Sequence, residues 1–185
     1  MSRVLVLDGL SEEGANVFRK NGLDVDVKPP QSPSELAAII GDYDGLVVRS
    51  GTKVTAEALE SADNLKVIGR AGVGTDNIDK EAATKKGVVV MNTPGGNTIS
   101  TCEHTFALLL ALCRNVPLAS HSMQERRWDR KKFMGTQVAG KTLGVVGLGR
   151  IGLAVATRAK SLEMEILGYD PFMSQERAEK LGIEL

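Results

Sequence analysis

Three observations predict an α/β protein with two doubly wound parallel sheets. Over residues 1–94, short β-branched runs alternate with stretches of helical periodicity, the mark of parallel βαβ units. After residue 95 a long helix comes first, and only two strand-like runs follow it. Between those two runs lies a glycine turn, Gly147-Leu148-Gly149-Arg150-Ile151-Gly152. The expected division is residues 1–94 as a small complete sheet of the flavodoxin-like kind and 95–185 as a Rossmann domain. That second domain holds only part of the usual six strands.

In chain order, the first region offers strands at 4–7, 25–28, 45–48, 66–69 and 88–91. Ser11, Thr55 and Asp79 stand where a side-chain oxygen can cap the helix that follows. Ser32-Pro33-Ser34-Glu35 combines a capping box with proline at the first helical position, where its missing N–H costs nothing. Asn21-Gly22 and Gly87 supply helix stops. In the second region a helix is expected over 98–114, with strands at 142–146 and 165–169. Between the strands, Ile151, Val155, Ala159 and Leu162 recur on one helical face.

Composition narrows the partners. With 23 basic and 23 acidic residues the net charge is zero, so no global attraction to nucleic acid or an acidic membrane is expected. No apolar run approaches the ~18 residues of a membrane span, and Met1-Ser2-Arg3 runs into only four apolar residues before Asp8, unlike a signal peptide. Cys102 and Cys113 lie in an apolar helical stretch without metal-ligand spacing and read as buried free thiols. A small-molecule partner and a cytoplasmic location are expected.

The glycine turn states its chemistry through its spacing. Gly147 permits a tight strand-to-helix turn, Gly149 removes the side chain between backbone N–H groups and a pyrophosphate, and Gly152 lets the helix approach the strand. Arg150 and Ile151 then open a helix whose unsatisfied N–H groups and dipole favour a phosphate. Eighteen residues past Gly152, Asp170 ends the next strand, where a carboxylate accepts from ribose hydroxyls and repels a 2′-phosphate. The cofactor expected is NAD rather than NADP.

Arg49 and Arg70 end apolar strand runs, and the C-terminal ends of parallel strands border the ligand crevice. Guanidinium groups there suit a carboxylate or phosphate, and two of them suit a doubly anionic substrate. The mixed run Glu125 through Phe133 is either a solvated linker or an anion-contacting loop. His104 neighbours Glu103, but adjacent helical positions do not face each other, and His121 offers no evident partner. Neither histidine is nominated as a base, and no metal site is expected.

Five blocks, at residues 69–79, 92–97, 128–135, 140–152 and 168–171, together resemble the D-isomer-specific 2-hydroxyacid dehydrogenases. The likeness covers essentially all 185 residues and is greatest to the branch that acts on 3-phosphoglycerate. It implies a substrate domain and an NAD domain with a cleft between them, and oxidation of the C2 hydroxyl to a ketone. It also places Arg49 at a position used for the substrate phosphate, Arg70 nearby, and Val73 beside the nicotinamide. The family's catalytic arginine and glutamate-paired histidine lie in a later part of its chain, so no catalytic residue is expected within this one, which the resemblance implies is a truncated form without turnover. The basic run resembles a segment that reaches a neighbouring subunit, and the helix from Thr98 part of a homo-oligomer interface in the nucleotide domain. Two other readings stay open: a non-catalytic NAD-binding or assembly module of the same fold, and a dehydrogenase for glyoxylate, hydroxypyruvate or lactate.

Overall fold

Strand β1 (Arg3–Val6) pairs in parallel with β2 (Asp24–Val27) on one side and β3 (Gly45–Val48) on the other. From β3 the sheet continues through β4 (Val67–Arg70) to β5 (Val89–Asn92), giving the order β2-β1-β3-β4-β5. This is the flavodoxin-like order of a doubly wound sheet. The computed structural model describes residues 1–185, which divide into two units, Met1–Gly96 and Asn97–Leu185. The division falls two residues beyond the sequence expectation.

Period-two alternation assigns each strand residue to a face. Leu5, Leu7, Leu46, Val48 and Ile68 form one core with Leu36, Ile40 and Leu59, under helices α2 (Pro33–Ile39), α3 (Ala56–Glu60) and α4 (Lys80–Lys85). Val4, Val6 and Val47 point the other way and pack on Leu10, Phe18, Leu23 and Val25, beneath and beside α1 (Glu12–Lys20). Each fully buried leucine or valine contributes about 1.5–3 kcal/mol, so the first face dominates. Beside α1 the second face is open, a shallow apolar groove of about 710 Å³ along Val47, Val67, Gly69 and Met91.

The caps are where the side chains require them. Ser11, Thr55 and Asp79 each accept from a first-turn N–H, and the Ser32–Glu35 box is closed in both directions. Asn21 is the C-cap of α1, and Gly22 and Gly87 take positive φ after α1 and α4. Four strands of the first sheet lie one residue away from the sequence reading, whereas β3 has the expected ends.

The second unit opens with α5 (Thr98–Cys113) and α6 (Val116–Gln124), joined at Asn115 in the left-handed region. After a 3-10 turn at Arg130–Phe133 come β6 (Thr142–Val146), α7 (Arg150–Ser161), β7 (Glu165–Tyr169) and α8 (Gln175–Leu181). β6 and β7 are parallel, with Thr142 opposite Glu165 and Val146 opposite Tyr169. Val155, Ala156 and Ala159 of α7 are buried, Ala156 and Ala159 in a core with Leu148, Met164, Ile166, Ala178 and Ile183, against which Phe106 and Leu109 of α5 pack. Leu162, expected on that face, follows the last helical residue and is partly exposed. The sequence reading set His121 near the end of a helical stretch but gave α6 no bounds, and it did not foresee the 3-10 turn or α8. No helix is long and apolar enough to cross a membrane.

Candidate cofactor and anion sites

In the second unit, the chain leaves β6 through Gly147 at φ +90°, a conformation L side chains rarely adopt. The Gly147 N–H donates to the Tyr169 carbonyl at 2.7 Å and so ties the turn to β7. At Gly152, a Cβ would collide with the carbonyl oxygen of Gly147 itself. At Gly149, the N-cap of α7, a Cβ would meet nothing within 4 Å. The three glycines therefore have three different causes: backbone sign, backbone packing and open space.

That open space lies at the start of a 12-residue helix that has no side-chain cap. Leu153 donates to the Gly149 carbonyl, which leaves the first-turn N–H groups of Arg150, Ile151 and Gly152 without intrahelical partners. Arg150 is exposed and Ile151 half-buried. Asp170, just past β7, accepts from the Leu148 N–H at 2.8 Å through Oδ2 and from the Phe172 N–H at 2.8 Å through Oδ1. Each oxygen keeps a second lone pair. These residues fit a dinucleotide: free donors for a pyrophosphate, a position clear of side chains, and an oriented carboxylate beside the turn.

In the first unit, the loops after β1, β3 and β4 meet at the C-terminal end of the sheet. Asp8, at φ +63°, turns its carboxylate into the loop after β3. Its Oδ2 accepts from the N–H groups of Arg49 (2.8 Å) and Thr52 (3.0 Å), and its Oδ1 from the Thr52 hydroxyl (2.6 Å). Partial burial pushes the Asp8 carboxyl up, but the bonds from Thr52, Arg49 and Gly51 outweigh it and hold the group below the usual carboxylate range. From the other side, the Asn77 amide donates to the carbonyls of Arg49 (2.8 Å) and Thr52 (2.7 Å).

Arg49 itself is exposed and joins none of the ion pairs in the chain, and neither does Arg70. Arg70 folds back over Gly72, where a Cβ would collide with its guanidinium, and its Nε is buried with no hydrogen-bond partner. Val73 is half-buried in the turn after β4, its carbonyl accepting from the Asn92 amide at 2.7 Å. Arg49, Arg70 and Val73 thus belong to the first unit, and Gly147 through Gly152 with Asp170 to the second.

His104 is exposed on α5. His121, read from sequence as having no partner, faces Glu125 one helical turn on, with Nε2 to Oε1 at 3.4 Å. In the basic run, Arg127 pairs with Glu125 and Asp129, and Lys132 with Asp129, so part of its charge is neutralised within the loop. Cys102 is buried and Cys113 half-buried, both free. The sequence reading missed Asp8, Thr52 and Asn77. The available signal was an acid directly after a buried strand, since Leu7 ends the apolar run that Asp8 follows.

Residues 4–184 match the model of the family described as D-isomer specific 2-hydroxyacid dehydrogenase, catalytic domain. A D-3-phosphoglycerate dehydrogenase of Archaeoglobus fulgidus is 57% identical over 183 residues, 99% of this chain and 35% of that protein. The chain spans about a third of the length of the curated relatives it matches. Among solved structures, the TT0316 protein of Thermus thermophilus superposes with a TM-score of 0.84 at 34% identity, covering 94% of this chain and 57% of that one. A D-lactate dehydrogenase of Aquifex aeolicus, complexed with NAD and lactic acid, gives 0.84 at 26% identity, over 96% of this chain and 54% of that one.

Proposed function

From the premise that the chain belongs to the D-isomer-specific 2-hydroxyacid dehydrogenases, we propose that it supplies the NAD site and the substrate-anion site of a D-3-phosphoglycerate dehydrogenase. The reaction is oxidation of the C2 hydroxyl of 3-phosphoglycerate to 3-phosphohydroxypyruvate, the first step of serine biosynthesis. The observation that carries the reading is the glycine turn, with its open position at Gly149 and the oriented Asp170. The relatives named D-3-phosphoglycerate dehydrogenase support the choice of substrate.

In this reading residues 97–185 belong to the nucleotide domain, part of a six-stranded Rossmann sheet, and residues 1–96 to the substrate domain. The first-turn N–H groups of α7 hold the pyrophosphate, and Asp170 accepts from the ribose hydroxyls. Bound NAD supplies a hydride acceptor. Arg49 and Arg70, the two arginines of the first unit without carboxylate partners, hold the phosphate and carboxylate of the substrate. Removal of the hydroxyl proton is assigned to residues in the part of the family chain that these 185 do not span. The exposed Leu108, Leu112 and Leu118 of α5 and α6 form an interface with a second copy. Two free cysteines suit the reducing cytoplasm.

Turnover by the full-length protein, compared across 3-phosphoglycerate, glyoxylate, hydroxypyruvate and lactate with NAD and NADP in the matching directions, tests the proposal. The expected result is the highest kcat/KM for 3-phosphoglycerate with NAD. A higher value for a substrate without phosphate would move the protein to another branch of the family, and equal use of NADP would remove the role of Asp170.

A further inference from the structure

We propose that Asp8 and Asn77 are positioning residues that fix the Arg49 guanidinium for the substrate's phosphate, by clamping the backbone of residues 49–52 from opposite sides. The inference rests on the reading of Arg49 given above. Its physical basis is that Arg49 is a long, exposed side chain on a loop after the last strand residue, so its head group is only as well placed as its backbone. That backbone is held at both of its polar groups: the N–H by Asp8 Oδ2 and the carbonyl by Asn77 Nδ2, each at 2.8 Å. Three residues on, Thr52 is held in the same way, its N–H by Asp8 and its carbonyl by Asn77. Thr52 is fully buried and also bonds Asp8 through its hydroxyl, which in turn accepts from the Gln31 N–H at 3.3 Å.

The clamp joins loops far apart in sequence. Asp8 follows β1, Gln31 lies after β2, Arg49 and Thr52 follow β3, and Asn77 lies after β4. Asp8 takes a left-handed backbone to reach its partners, a conformation that Asp and Asn tolerate better than other side chains with a Cβ. Its carboxylate also satisfies the N–H and hydroxyl of the fully buried Thr52.

The test is a set of kinetic cycles in the full-length protein. Asp8→Ala is expected to raise KM for 3-phosphoglycerate by about 10- to 100-fold, the order of effect that small misplacements produce, while KM for NAD stays unchanged. In an Arg49→Ala background the same substitution should add nothing, because Asp8 acts through Arg49. Asp8→Asn should restore most of the affinity, since an amide oxygen accepts both backbone bonds and its NH₂ donates to the Thr52 hydroxyl. Asn77→Ala should behave as Asp8→Ala does, with the same lack of additivity. If Asp8→Ala does not fold, Thr52→Val, which keeps the shape and removes the 2.6 Å bond, enters the same cycle. Additive effects, or a fall in NAD affinity equal to that for substrate, overturn the proposal. If Arg49→Ala itself leaves KM unchanged, it is the reading of Arg49 that fails. If only the Arg49 substitution matters, the clamp alone is refuted.

Discussion

The two turns proposed above to meet ligands are built by opposite means. In the second unit, the turn from Gly147 to Gly152 works through missing side chains, and it leaves the N–H groups of α7's first turn free. In the first unit, the loop from Arg49 to Thr52 has its backbone satisfied by Asp8 and Asn77 and faces outward through a side chain. On the proposed reading the difference follows from what does the binding. Where backbone donors contact the ligand, they must stay unpaired and unobstructed. Where a flexible guanidinium does so, the backbone beneath it is best held still.

The largest test of this contrast is Gly152→Val. A branched side chain cannot share space with the Gly147 carbonyl. Overpacking of this kind costs about 1–3 kcal/mol, and if the turn shifts to relieve it NAD affinity by calorimetry should drop by roughly ten- to a hundredfold. Unchanged affinity would mean that the turn is not the cofactor's cradle. Next comes Arg49→Ala in the full-length protein. A charge-assisted hydrogen bond contributes about 1.5–3 kcal/mol, so KM for 3-phosphoglycerate should rise roughly ten- to a hundredfold relative to a substrate lacking phosphate. An unaltered ratio between the two substrates would leave the loop rigid for some other purpose.

A smaller effect is expected of Asp170→Ala, read as the ratio of NAD to NADP affinity. The ratio isolates the ribose contact, because the lost bonds to Leu148 and Phe172 weaken both cofactors alike. Discrimination should fall by about tenfold, one hydrogen bond to a charged group. A preserved ratio would place cofactor choice elsewhere.

The smallest is a slope. The Asp8 carboxyl is held below its ordinary range in the folded protein, so its contribution to stability is complete above an unfolded value near pH ~4 and is lost as pH falls through the lower folded value. Urea midpoints followed from pH 7 downward should decline less steeply in Asp8→Asn than in wild type. Identical slopes would show that the charge on Asp8 is not coupled to folding.

Much of the fold was legible because its determinants are local. The Ser32–Glu35 box, the Asp79 cap and the buried run 45–48 each carry their reason within a few residues. The glycine turn was legible for the same cause: its spacing, set between a strand and a helix with an acid ending the next strand, separates its three roles. The Asp8–Thr52 contact spans 44 residues, and no local rule links an acid after β1 to a hydroxyl after β3. The burial of Arg70 Nε over Gly72 depends on side-chain rotamers, which periodicity does not encode. His121–Glu125, by contrast, obeys the i, i+4 rule and was open to a local reading. The bounds of α6 were not legible, because the left-handed turn at Asn115 that divides it from α5 has no local signal such as glycine.

The order β2-β1-β3-β4-β5 also bears on how the first unit is made at the ribosome. Taken in order of synthesis, each strand has its place at an edge of those before it: β2 and then β3 flank β1, and β4 and β5 extend the sheet from there. No pair of strands already joined has to part to admit a later one. Synthesis at about 5–20 residues per second is slow beside the formation of individual secondary-structure elements, so the sheet can grow by accretion in the order of translation. Of the residues in the Asp8 clamp, Asn77 lies beyond β4 and is the last to be synthesised.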